Sequence, residues 1–184
     1  MECANSCKIH NPSFVKNQSM KSAMNPLLSR YVIPDMPSAD QLLPYLRQID
    51  SKRWYSNFGP LVHDFERRLI AFWGDDTIAV TALMTCYHAL QIGLQLFRLP
   101  PQANVLVPAV TFPACPLAVQ HAGSIPVFAD VDATTWQLTP AIARVICAAM
   151  PIHAVMPVAV YGVPVDITAC DACTPDTGIP VIID

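Results

Sequence analysis

The chain has 184 residues, 53% hydrophobic and 14% charged, which allows one domain with a sizeable core and excludes a wholly disordered chain. Its net charge of −3 gives no basic field, so no nucleic-acid partner is expected. No run of about 18 uninterrupted apolar residues occurs, and the start M-E-C-A-N-S-C-K-I-H lacks a secretory core, so a cytoplasmic protein that does not engage the membrane is expected.

Residues 1–30 are polar, carry Lys8, Lys16, Lys21 and Arg30, and show no periodicity. They read as a disordered or misassigned leader, with Met20 or Met24 as alternative starts. Residues 31–76 read as an N-terminal extended segment and helix. Tyr31 to Pro44 is punctuated by prolines and is expected to lie extended, and Tyr45 to Ile49 to form a short helix. Arg53 to Pro60, R-W-Y-S-N-F-G-P, is an aromatic loop with a turn signal. In Leu61 to Trp73, Leu61, Phe65, Leu69 and Phe72 share one helical face, and Gly74 ends the helix.

From residue 77 to 184 short apolar runs alternate with helical segments. The expected strands are Ile78–Leu83, Val105–Val107, Pro126–Phe128, Ala154–Val158 and Pro180–Ile183. The expected helices are Tyr87–Phe97, Cys115–His121, Pro140–Ala149 and Ile167–Cys173. Thr139-Pro140 is a helix start, with an N-cap hydroxyl followed by proline at the first helical position. Strands without polar alternation are buried on both faces. The fold class is therefore α/β, a mostly parallel sheet with helices on both faces.

Ligands of open α/β sheets bind at the carboxyl ends of the strands. Met84 to Leu90, M-T-C-Y-H-A-L, follows the first expected strand, and a helix starting there offers free N–H groups and the Thr85 hydroxyl to a phosphate. Pro108 to Cys115 follows the second and carries Phe112 at a loop tip, where a flat ligand can stack or where the ring can be core. The chain closes on T-P-D-T-G-I-P-V-I-I-D, a polar turn and an apolar strand ending in Asp184. That carboxylate suits a protonated ring nitrogen, or the cap of a following helix. Taken together these elements fit pyridoxal phosphate.

The seven cysteines, Cys3, Cys7, Cys86, Cys115, Cys147, Cys170 and Cys173, are odd in number and irregularly spaced, so buried reduced thiols are expected. Cys170 and Cys173 form a C-x-x-C with no second pair or histidines at ligand spacing, so no metal site is expected. His63, His88 and His121 read as surface or packing groups, and Asp130 and Asp132 as an acidic turn. Tyr161-Gly162 is a tight loop at a strand end, where a substrate can pass.

The residues from about Arg53 to Asp184 resemble the first half of the DegT/DnrJ/EryC/StrS aminotransferases. The resemblance rests on W-Y-S-N-F-G-P-L-V-x-x-F-E, V-L-V-P-A-V-T-F-P-A-C-P-L-A-V, I-P-V-F-A-D-V-D-A-T-T-W-Q-L-T-P, A-V-M-P-V-A-V-Y-G-V-P-V-D and G-I-P-V-I-I-D, in order. It implies the large domain of the aspartate-aminotransferase fold (fold type I), truncated, with 77–184 an incomplete cofactor-binding domain. It also implies pyridoxal phosphate, a nucleotide-linked keto sugar as substrate, glutamate or glutamine as amino donor, and a homodimer. Asp184 matches the aspartate that keeps the pyridine nitrogen protonated, and Phe112 the aromatic that stacks on the ring. Thr85, Cys86 and Tyr87 fall where the family has a serine–glycine–threonine-like phosphate cradle, and depart from it at Cys86 and Tyr87. The family's Schiff-base lysine lies beyond the aspartate strand. The lysines here, Lys8, Lys16, Lys21 and Lys52, all precede the sheet. The chain alone is therefore expected to be inactive, the front part of a larger enzyme. Rival readings are a non-catalytic truncated remnant or association-only half-subunit, and a small flavodoxin-like binding domain.

Overall fold

The computed structural model describes residues 34–74, 77–171 and 178–184. The chain forms two compact units, Met1–Ser56 and Asn57–Asp184.

In the first unit, helix α1 spans Ala39–Lys52. It starts earlier than the prolines suggested, because Ser38 and Gln41 form a capping box. The Ser38 amide donates to Gln41 Oε1 at 2.8 Å, and the Gln41 amide to Ser38 Oγ at 3.4 Å. Two of the orphan amides at the helix start are thereby satisfied. Pro44 is accommodated inside the helix at the loss of one ladder donor. The expected extended path to Pro44 is thus replaced by helix from Ala39.

The second unit begins with α2, Pro60–Trp73, entered through Gly59 and Pro60 and closed by Gly74 in the left-handed region at φ 66°. Only a residue without Cβ adopts that angle at no steric cost. The sheet has strands β1 (Asn104–Pro108), β2 (Ile125–Ala129) and β3 (Ala154–Val155), in the order β2-β1-β3, with parallel pairings. A parallel bridge from Val155 to Val181 continues the sheet past β3. The remaining helices are α3 (Cys86–Leu96), α4 (Ala114–His121), α5 (Pro140–Ala149) and α6 (Ile167–Asp171).

Alternate residues of β1 enter different clusters, as the two-residue period of a strand requires. Val105 and Val107 pack with Leu90 and Leu94 of α3 and with Cys115, Ala118 and Val119 of α4. Leu106 packs with Leu138 and Val155, against Ile142 and Ile146 of α5. Both faces of the central strand are therefore covered by helices, which explains its unbroken apolar run.

Some expected elements differ. Ile78–Leu83 is not a strand; Ile78 is 37% and Leu83 42% exposed, and the Ala82 amide donates to Glu66 Oε1 at 2.8 Å. A strand exists only by pairing, and among the described residues no neighbour supplies a ladder there. β3 is shorter than expected, since Pro157 cannot donate to the sheet. Pro180–Ile183 likewise reduces to the bridge at Val181, flanked by Val155 N–H to Pro180 O and Ile182 N–H to Val155 O, both 3.0 Å. α6 is described to Asp171, so Cys173 and the C-x-x-C reading lie outside the described residues.

Candidate functional site

The carboxyl ends of β1 and of the 178–184 segment meet the first turns of α3 and α4. Asp184 is tied down through its backbone: its N–H donates to Pro157 O at 3.0 Å, and the Ala159 N–H donates to its carbonyl at 2.8 Å. Its side chain is held by thiols. Cys86 Sγ donates to Oδ1 at 3.0 Å and Cys115 Sγ to Oδ2 at 2.8 Å. The Thr111 hydroxyl donates to Cys115 Sγ at 3.0 Å, so the buried thiol is itself supported.

Each thiol comes from a helix start. Cys86 is the first residue of α3, whose N-cap Thr85 accepts the His88 N–H on Oγ1 at 3.3 Å. Thr85 Oγ1 also lies 2.8 Å from His88 Nδ1. Cys115 is in the first turn of α4, reached by the tight Pro108–Pro113 loop after β1. The carboxylate thus sits between the positive ends of two helices, where negative charge is favoured. The Cys86 thiol is pushed up to about 11, first by its hydrogen bond to Asp184, then by burial and by the Asp184 charge. The Cys115 thiol is pushed up to about 12, first by burial and then by Asp184, against an opposing hydrogen bond from Thr111. Both are therefore protonated donors at neutral pH. All cysteines described as free are thiols, but Cys86 is exposed, contrary to the expectation of burial; Cys115 is buried and Cys147 half-buried.

The structure brings Cys86, the residue after Thr85, onto Asp184, while the Thr85 hydroxyl engages His88. It does not bring the Tyr87 hydroxyl there, because that group bonds His121 Nδ1 on α4, and the two rings meet edge-on. Phe112 stands on the loop after β1, 74% exposed, with its carbonyl accepting the Cys115 N–H at 3.1 Å. Phe112 is therefore not part of the core formed by the described residues. Cys115 and Thr111 were not singled out from sequence as site residues. Their four-residue spacing stands in the sequence, but nothing local points from it to Asp184, 69 residues on from Cys115.

These residues fit pyridoxal phosphate as the chemistry demands. A carboxylate has about four lone-pair sites, so Asp184 can accept a ring N–H beside its thiols. Helix geometry leaves the Cys86 and Tyr87 amides without intrahelical acceptors, as an anion requires. Thr85 is less free, since its oxygen already caps α3. Elsewhere, Tyr161 is 82% exposed, with φ 54° and its ring 6.1 Å from that of Trp136. The Asp132 carboxylate accepts from the Thr134 and Thr135 amides at 3.0 and 2.8 Å, which holds its carboxyl below the usual range, first through Thr135. No group of metal-ligating side chains able to hold an ion occurs among the described residues.

Comparison with known proteins addresses the family. The family model for the DegT/DnrJ/EryC1/StrS aminotransferases matches residues 38–184. The 3-amino-5-hydroxybenzoate synthase of Amycolatopsis mediterranei is 33% identical over 140 residues, 76% of this chain and 35% of that protein. The UDP-2-acetamido-2-deoxy-3-oxo-D-glucuronate aminotransferase of Pseudomonas aeruginosa is 35% identical over 127 residues, 68% of this chain and 34% of that protein. Among solved structures, 3-amino-5-hydroxybenzoic acid synthase superposes with a TM-score of 0.70 at 32% identity, over 83% of this chain and 40% of that one. DesI, solved with its TDP-sugar product, gives 0.70 at 30% identity, over 82% and 37%. The chain spans between 34% and 39% of the length of the first curated relatives it matches. The fold is that of the pyridoxal-phosphate aminotransferases of fold type I, which replaces the flavodoxin-like reading. The chain belongs to the DegT/DnrJ/EryC1/StrS aminotransferase family.

Proposed function

We propose that this chain supplies the cofactor-ring side of a pyridoxal-phosphate aminotransferase site, one that acts on a nucleotide-linked keto sugar with glutamate or glutamine as amino donor. The observation that carries the reading is the Asp184 carboxylate at the end of the sheet, between the first turns of α3 and α4. When bound, pyridoxal phosphate supplies a ring that takes up the electrons of a broken C–H bond. Asp184 accepts the ring N–H and, by its charge, keeps that nitrogen protonated. Phe112 offers a ring face to the cofactor plane. The Cys86 and Tyr87 amides, with Thr85, meet the phosphate.

The substrate class is supported by relatives named for amino transfer on UDP- and dTDP-linked sugars. No lysine occurs in Asn57–Asp184. In this reading the four lysines before the sheet do not serve, the amine that links covalently to the cofactor is supplied from outside these 184 residues, and the chain alone does not transaminate. A homodimer is part of the proposal, in keeping with the exposure of Phe72 and Trp73 on α2.

The test is binding of pyridoxamine phosphate, which has no carbonyl to trap stray lysines, followed by fluorescence. Wild type should bind saturably, and Asp184→Asn should bind at least about tenfold more weakly, because a hydrogen bond to a charged group is worth about 1.5–3 kcal/mol. Equal affinity would remove Asp184 from the ring nitrogen. Assay of the chain on a panel of nucleotide keto sugars should give no amino sugar; turnover would refute the assignment of the amine to a residue outside these 184.

A further inference from the structure

We infer that Cys86 and Cys115 are the positioning residues of Asp184, one S–H donor on each carboxylate oxygen, and that Cys86 is the donor that yields when a cationic ring N–H arrives. The inference rests on the cofactor reading above for its second half; the donor pair stands on geometry alone.

The backbone bonds of Asp184 fix its Cα, not its side-chain torsions. Among the described residues, the hydrogen bonds recorded to its carboxylate oxygens are those of the two thiols. They arrive from different helices, 98 and 69 residues away in sequence, so the carboxylate is held between α3 and α4 rather than by its own strand. The two donors are unequal. Cys115 is buried and braced by Thr111, whereas Cys86 is exposed. A thiol is a weak donor, and a charged N–H forms a bond roughly twice as strong as a neutral one. An arriving pyridinium therefore outcompetes the solvent-side thiol more readily than the buried, braced one. Because both thiols hold their protons well above neutral pH, each acts as a donor rather than as a repelling thiolate.

Two measurements on the 184-residue chain test this. The first uses no ligand: the rate of Cys86 alkylation by iodoacetamide at pH 8, mapped by mass spectrometry. Asp184→Asn should raise it by about tenfold or more, because loss of the charge lets the thiol ionise and the thiolate is the nucleophile. Equal rates would overturn the donor pair whether or not any cofactor binds.

The second is pyridoxamine phosphate affinity. Cys115→Ala should weaken it about threefold to tenfold, the worth of one neutral hydrogen bond, and Cys115→Ser should restore it to within about twofold. Cys86→Ala, which keeps the backbone amide assigned to the phosphate and lies at an exposed site, should lose at least about threefold less affinity than Cys115→Ala. A Cys86→Ala variant as weak as Cys115→Ala, or a Cys115→Ser variant as weak as Cys115→Ala, would overturn the proposal. If Asp184→Asn binds like wild type, the ring-nitrogen reading fails, and the yielding of Cys86 fails with it. Absence of saturable wild-type binding has the same consequence. In both cases the alkylation comparison still decides the donor pair.

Discussion

Two aspartates of this chain solve the same problem in opposite ways. The Asp132 carboxylate is satisfied by its own turn: the amides of Thr134 and Thr135 and the Thr135 hydroxyl all reach its Oδ1, from two and three residues away. Asp184 is satisfied by residues 98 and 69 positions away, brought to it by two helices and a sheet. The first arrangement needs only local backbone geometry. The second needs α3, α4 and the 178–184 segment packed against one another, and it sits where the family's cofactor chemistry is proposed.

The largest expected effect comes from the core between these regions. Leu106 is fully buried on β1, and Leu106→Ala should cost about 2–5 kcal/mol in urea unfolding. It should also raise Cys86 alkylation while leaving the Asp132 turn intact. Loss of the turn's amide protection in step with the Asp184 network would show that the two acids are not independent.

A smaller effect is expected at Gly93. A Cβ there would collide with Ile182 Cδ1, so α3 lies against the segment that carries Asp184. Gly93→Leu should cost about 1–3 kcal/mol by overpacking, and Ile182→Ala in the same chain should recover part of it. Strict additivity of the two substitutions would deny the contact.

Smaller again is a dependence on alkaline pH. The thiols ionise near 9 in the unfolded chain but are held protonated to about 11 at Cys86 and about 12 at Cys115. The unfolded state then binds fewer protons, so stability falls as pH rises through 9 toward 12. Thermal unfolding of Cys115→Ser against wild type across this range should show a flatter curve for the variant; parallel curves would remove Cys115 as a source.

The smallest is at Asp132. Its carboxyl is lowered in the folded chain, so its contribution is present above the ordinary carboxylate range and is lost as pH falls through the folded value. Asp132→Ala should lower the melting temperature slightly at neutral pH and have less effect in acid. A shift in Cys86 alkylation on the same substitution would break the separation between the two acids.

What could be read from the residues alone was what neighbours in sequence decide. Pro140–Ala149 was legible to the residue, because Thr139 caps the helix and Pro140 starts it. β1 and β2 were legible to within one residue at each end, because an apolar run between turn residues has few other uses. Asp184 could be singled out for the same reason, as a carboxylate closing such a run. Where local signals competed, the reading failed: the prolines before Tyr45 outweighed the Ser38–Gln41 capping box, and helix α1 was drawn too short. Ile78–Leu83 failed differently, since its apolar pattern suits a strand but pairing is not a property of one segment.

Only the tertiary structure decided the partners. It turned the Tyr87 hydroxyl toward His121 and set Cys86 and Cys115 on the two oxygens of Asp184. The physical reason is range. Caps, turns and periodicity are settled within about four residues by backbone geometry. The donors of a carboxylate at a strand end are settled by how helices pack on a sheet, and no spacing in the sequence records that.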